Sequence, residues 1–217
     1  MQDIQQTGRT GEGAAMEPPM ALALAANFGS VERWRDEFMA MGRAFGAEPG
    51  GVRLVFQPRD GTLVNQRGGD PMQGASGGVP ILSFDVVDAF MRNVAWAAVY
   101  ARYQAAVYAA TESIGATADE AAAAVVVDVR RAGVFAQAAT MLPGARWLDP
   151  AGVAGWAAEL PSDREVLVYC VYGHEVGRST ALRLRAAGLN ARYLRGGIDG
   201  WQTAGRPVVP IMPLPSP

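Results

Sequence analysis

Glu165-Val-Leu-Val-Tyr-Cys170 runs into Val171-Tyr-Gly-His-Glu-Val-Gly177 and then into Arg178-Ser-Thr-Ala-Leu-Arg-Leu-Arg185. An apolar run of strand length, a glycine-containing loop and a helical pattern follow one another, so the only cysteine of the chain stands where a helix begins. Helix N-termini and runs of backbone N–H groups favour an anion. A thiol in such a place is expected to ionise below the free value of about 8.5. The local pattern leaves two readings of Cys170 open: a reactive thiolate, and a buried structural cysteine at a strand end.

The same alternation extends on both sides. Val125-Val-Val-Asp128, Ala145-Arg-Trp-Leu148, Val166-Leu-Val-Tyr169 and Ala191-Arg-Tyr-Leu194 read as short strands, against helices near 150–159, 178–187 and 197–204. Strands alternating with helices predict an α/β fold, a mainly parallel sheet covered by helices on both faces. Ligands of such sheets bind at the carboxyl ends of strands. Cys170 is at one such end, and Asp128 and Arg130 are at another. Arg130 can steer an anion toward Cys170 or form an ion pair with Asp128. Inside the loop, His174 and Glu175 are titratable. Either both face solvent, or His174 pairs with a donor anion or with the thiolate while Glu175 bonds loop N–H groups or repels anionic donors.

The first half has a different texture. Residues 1–18 read as disordered, Ala21–Asn27 as a short helix, and Val31–Phe45 as a helix with Val31, Trp34, Phe38, Met41 and Phe45 on one face and Ser30 as N-cap. Val52–Phe56 and Thr62–Asn65 form a hairpin pattern around Pro58-Arg-Asp-Gly61, followed by a strand at Val79–Phe84. From Val86 to about Glu112 no proline or glycine interrupts an Ala- and Tyr-rich stretch, which predicts one long helix. The expected division is a domain at 19–112, a linker at 113–122, a second domain at 123–210 and a disordered tail at 211–217.

Composition narrows the function classes. The 217 residues carry a formal net charge of −2, and all 19 basic residues are arginine, scattered among 21 acids. That is a mixed solvated surface without a nucleic-acid footprint, and nothing approaches a transmembrane length. One cysteine and one histidine make a Cys/His zinc site within the chain implausible. The expected compartment is the cytoplasm, with no cofactor.

Asp128-Val-Arg130, Leu142-Pro-Gly-Ala145, Val168-Tyr-Cys170, Leu194-Arg-Gly-Gly-Ile-Asp-Gly-Trp201 and Ala204-Gly-Arg-Pro207 resemble, in order and spacing, a rhodanese domain over about Ala123–Val209. The resemblance implies a sulfurtransferase: Cys170 takes a sulfane sulfur from a donor such as thiosulfate, becomes a persulfide, and passes the sulfur to a thiol or cyanide acceptor. Backbone N–H groups of Val171, Tyr172, Gly173, His174, Glu175 and Val176 would hold the thiolate, the persulfide and the donor's oxyanion, with Asp128 and Arg130 beside them. Rhodanese loops usually read Cys-x-x-Gly-x-Arg-Ser. Here Arg178 and Ser179 come later, which implies a longer loop and a wider cradle. Val176 stands where a cysteine-x5-arginine phosphatase signature would need arginine.

Phe28-Gly-Ser30, Glu37-Phe38, Phe45-Gly46, Asn65-Gln66 and Phe84-Asp85-Val86 resemble the C-terminal part of iron/manganese superoxide dismutases over about residues 20–112. That implies a smaller α/β domain with an antiparallel sheet. In that family an Asp-x-Trp-x-His-Ala-Tyr sequence supplies an aspartate and a histidine to the metal. Asp85 matches the aspartate as a lone remnant, Ala89 stands in place of the histidine, and the resemblance starts past the helical hairpin that bears two more histidine ligands. Gln66 matches a residue that contacts metal-bound solvent. The expectation is a metal-free, degenerate domain that serves assembly, with a homodimer through it. Two other readings of the whole remain: a non-catalytic rhodanese-fold binding or regulatory module, and a working superoxide dismutase.

Overall fold

The structure is a computed structural model that describes residues 15–44, 51–67, 77–84, 94–121 and 124–211. Two helices open it, α1 (Pro18–Phe28) and α2 (Val31–Ala44). Pro18 starts α1, where a missing N–H costs nothing. Ser30 caps α2 by accepting from the Arg33 N–H at 3.0 Å. Trp34 and Phe38 are buried on the α2 face expected from the sequence, and Trp34 Nε1 donates to Asn65 Oδ1 at 3.1 Å.

Strands β1 (Val52–Gln57), β2 (Thr62–Arg67) and β3 (Val79–Phe84) make an antiparallel sheet with β1 in the middle. Helix α3 (Trp96–Thr111) packs on β3. It is shorter than the sequence suggests. Val94 and Ala95 are not helical, because the Trp96 N–H turns back to the Val94 carbonyl at 2.9 Å and Ala95 offers no capping side chain. Residues 85–93, with Asp85 and Ala89, lie outside the described residues, as do 1–14 and 212–217.

A five-stranded sheet follows, ordered β4 (Gly115–Ala116), β9 (Ala191–Leu194), β8 (Val166–Tyr169), β5 (Val125–Asp128) and β7 (Arg146–Trp147), with every pairing parallel. Strand β4 falls inside the segment read as a linker. Gly115 pairs with Tyr193 and Ala116 with Leu194, so this stretch is the sheet's edge. Two residues are too short for a strand period to be visible in sequence, which is why it reads as a connection.

All four residues of β8 are buried, and they alternate between two cores. Val166 and Val168 join Val127, Trp156, Ala181 and Leu184 on one face, where α5 (Val153–Trp156) and α6 (Glu175–Ala186) lie. Leu167 and Tyr169 join Leu142, Leu194 and Ile198 on the other, under α7 (Gly197–Thr203). This is the two-sided burial that a continuous apolar strand implies. A short helix α4 (Ala132–Phe135) follows β5, and β6 (Thr140–Met141) pairs with β10 (Val209–Pro210).

The two units are in contact. Leu182 of α6 is buried in the core of the N-terminal unit. Arg183 Nη2 donates to the Ala26 carbonyl at 3.0 Å, and Arg178 Nη1 donates to Thr111 Oγ1 at 3.1 Å. Gly61, with a positive φ of 70°, lies so close that an added Cβ would stand 2.9 Å from Leu182 Cβ.

Candidate functional site

Cys170 follows the last residue of β8, and α6 begins at Glu175 with His174 as its N-cap residue. The loop proper is therefore residues 171–174. The expectation of a longer loop and a wider cradle is corrected here: Glu175, Val176 and Gly177 form the first turn of α6, and Arg178 belongs to the helix. The extra residues lengthen the helix rather than the loop.

Backbone geometry closes the loop around the sulfur. The backbone N–H groups of Gly177, His174, Gly173 and Tyr172 act on it and favour its charged form. Gly177 was not among the expected donors. An added Cβ there would sit 3.4 Å from Sγ, so a glycine lets the first helical turn come up against the thiol. Gly173 has φ 69°, and a Cβ on it would meet the Leu194 carbonyl oxygen at 2.6 Å and the Gly196 nitrogen at 2.8 Å. From behind, Ile198 and Asp199 N–H groups donate to the carbonyls of Cys170 and Val171, both at 3.0 Å. These α7 contacts fix the strand end.

The thiol is 6 % exposed. Burial pushes its ionisation up from the ordinary value, against the pull of the N–H groups of Gly177, His174, Gly173 and Tyr172. This corrects the expectation of a lowered value: dipoles surround the sulfur, and burial outweighs them.

The remaining expected residues separate into two sets. Val171, Tyr172, His174, Glu175, Val176 and Arg130 line a cavity of about 200 Å³ with Cys170. Asp128 does not line it. Its carboxylate is fully buried and accepts from Arg130 Nε at 3.0 Å and from the Tyr169 hydroxyl at 2.8 Å. Arg130 is thereby held in a bidentate ion pair and also donates to the Thr140 carbonyl at 2.9 Å. Of the two roles open to Arg130, the ion pair is the one formed.

His174 and Tyr172 are exposed, their rings 5.5 Å apart, and Tyr108 meets His174 edge-on at 6.2 Å. Glu175 does not face solvent. It is 4 % exposed and turned toward α3, where Gln104 Nε2 donates to it at 3.2 Å. Burial, together with the nearby Glu175, raises the Tyr100 phenol well above its usual value.

Four lining residues are not legible in the sequence, Val134 among them. Pro19 and Tyr100 come from the other unit to line the cavity, and no local pattern reports a contact of that range. Arg131 lines it too, and its guanidinium has no hydrogen-bond or ion-pair partner among the described residues. Its neighbour Arg130 was the one singled out, although an arginine two residues from an aspartate at a strand end is well placed to be neutralised by it. Arg178, expected only as a motif remnant, lies between the Tyr108 and Tyr193 rings at 4.0 and 4.3 Å and donates to the Gly173 carbonyl at 3.0 Å. It braces the loop from the side of α3.

A family model, Rhodanese-like domain, matches residues 112–204. That segment is a rhodanese-like domain. It includes β4, in agreement with the pairing of that strand. Among solved structures, the full-length protein from Lactobacillus plantarum is 25 % identical, covering 46 % of this chain and 90 % of its own, with a TM-score of 0.41. A rhodanese-related protein from Thermoplasma volcanium is 26 % identical, covering 44 % and 96 %, with a TM-score of 0.38.

An iron superoxide dismutase of Cupriavidus metallidurans is 40 % identical over 113 residues, 45 % of this chain. The chain spans 57 % of the length of that relative. The match is consistent with a dismutase-like N-terminal unit. The residues present do not fit the metal. Iron needs several oriented nitrogen and oxygen ligands, whereas the single histidine of the chain, His174, sits in the Cys170 loop against Tyr172 and Tyr108. Gln66 pairs in the sheet with Arg53, and among the described residues no three His, Cys, Asp or Glu side chains are grouped to share an ion. Among those residues no helix is long and apolar enough to cross a membrane.

Proposed function

We propose that Cys170 is the sulfur carrier of a rhodanese-type sulfurtransferase. The observation that carries this reading is one sulfur lining a small cavity, with the N–H groups of Tyr172, Gly173, His174 and Gly177 favouring negative charge on it. Such a cradle stabilises negative charge wherever it develops on sulfur, as thiolate or as terminal persulfide, without any titratable side chain. The Cys170 thiolate attacks the sulfane sulfur of thiosulfate, the S–S bond to the sulfonate breaks, and sulfite leaves with the electron pair. Cyanide or a thiolate acceptor then takes the terminal sulfur and restores Cys170.

Because burial holds the thiol protonated, attack requires that its proton first leave. Thiocyanate formation from thiosulfate and cyanide is expected for the wild type and absent in Cys170→Ala. Equal turnover in the two proteins would sink the reading. The raised thiol and the exclusion of bulk water favour one competitor, a non-catalytic binding module. Partner capture that persists in Cys170→Ala, with no turnover in the wild type, would support it.

A further inference from the structure

Glu175 is buried, yet it forms part of the wall of the Cys170 cavity. Its hydrogen-bond partner is the neutral Gln104 amide on α3, and no cation pairs with it among the described residues. A glutamate side chain without an ion-pair partner offers an acceptor to a cationic group in the space beside it. Arg130 is not that group, since Asp128 already matches its charge. Arg131, in contrast, brings an unpartnered guanidinium to the same cavity. One acidic and one basic side chain, neither in an ion pair among the described residues, thus border a single thiol.

Thiosulfate, a dianion, meets Arg131 favourably and Glu175 unfavourably. A small zwitterion satisfies both. The cavity, about 200 Å³, falls below the usual range of about 300–1,000 Å³ for ligand sites, which suits a molecule of few atoms.

We propose that the sulfur donor of this site is a low-mass aminothiol persulfide that bears an ammonium and a carboxylate, with Glu175 selecting the ammonium and Arg131 the carboxylate. The inference rests on Cys170 being the sulfur carrier. In the loading step the Cys170 sulfur attacks the outer sulfur of R–S–S–H. A new S–S bond forms at Cys170, the R–S bond to the outer sulfur breaks, and R–S leaves with the electron pair. The thiol proton lost by Cys170 ends on R–S–H, so that Cys170–SH and R–SSH give Cys170–SSH and R–SH. No other oxidant or reductant is needed. The N-terminal unit acquires a task as well: Gln104 of α3 supplies the donor that holds Glu175 at the cavity.

The test compares loading of Cys170 in the full chain by the persulfides of cysteine, mercaptopropionate and cysteamine, and by thiosulfate, read as kcat/KM. The first has both charges, the next two one each. The wild type is expected to favour cysteine persulfide over mercaptopropionate persulfide by about tenfold, the scale of one complementary charge contact. Glu175→Gln should abolish that advantage and raise loading from thiosulfate by about tenfold. Arg131→Ala should lower loading from the two carboxylate-bearing persulfides by about tenfold and from cysteamine persulfide least. If Glu175→Gln fails to fold, the Arg131→Ala pattern and the wild-type ranking decide the matter. A wild type that ranks thiosulfate first, or a Glu175→Gln protein that slows with all four donors alike, overturns the inference while leaving the sulfur carrier in place. No loading by any donor overturns the sulfurtransferase reading itself.

Discussion

The two units of this chain differ in what a functional site must be made of. In the N-terminal unit a packed core is present: Trp34 and Phe38 are buried, Trp34 bonds to Asn65, and α3 lies on the three-stranded sheet. A metal centre, however, is made of side chains, and this chain has a single histidine, which lies in the Cys170 loop. In the rhodanese-like unit the site is made of backbone. Tyr172 and His174 contribute N–H groups that any non-proline residue could offer, while Gly173 and Gly177 are needed for the space they leave. The lesson is that a backbone-built anion site tolerates drift in its side chains and fails at its glycines.

The largest effect should follow from breaking that backbone. Gly173→Ala would drive a Cβ into the Leu194 carbonyl and hold a positive φ that alanine disfavours. Sulfur loading of Cys170 is expected to fall by about a hundredfold or more, the scale of losing oxyanion-type donors. Loading within about threefold of the wild type would show that the cradle is not what matters. A second test concerns the contact between the units. Leu182→Ala opens a void in the N-terminal core from the α6 side and should cost about 2–4 kcal/mol in chemical unfolding. A loss below about 0.5 kcal/mol would mean that the two units do not share that core.

A pH profile sharpens the comparison further. The thiolate is the nucleophile, and Cys170 ionises above its usual value because burial outweighs its N–H partners. Iodoacetamide alkylation should therefore be slow at neutral pH and rise with pH, with its midpoint above the free-thiol value of about 8.5. A midpoint near neutrality would mean that dipoles prevail over burial. The smallest change is expected where a side chain is replaced and the backbone kept. His174→Ala retains its N–H toward the sulfur, and loading should stay within about threefold. A drop of a hundredfold would place essential chemistry on the imidazole.

The same distinction explains what could be read from sequence. β5 and β8 are legible because each is an apolar run between turn residues, β9 because Arg192 alone interrupts its apolar residues, and the position of Cys170 follows directly from β8. β4 is not, being two residues whose only support is the pairing with β9. Within the site, the N–H donors near Cys170 were anticipated because they are sequence neighbours of the sulfur. The contributions of Tyr100 and Gln104 were not, since they reach Glu175 from about seventy residues away through the packing of α3 on α6. The direction of the Cys170 shift was also misjudged. Helix-start position is local and visible, whereas the burial that reverses its effect depends on the whole fold.

The most direct test of the account is the intact mass of the full-length protein after brief exposure to a persulfide or thiosulfate donor, followed by peptide mapping. The account predicts one added sulfur atom per chain, located on the peptide containing Cys170, lost on treatment with cyanide and absent from Cys170→Ala. No added sulfur, or sulfur that survives cyanide, would contradict it.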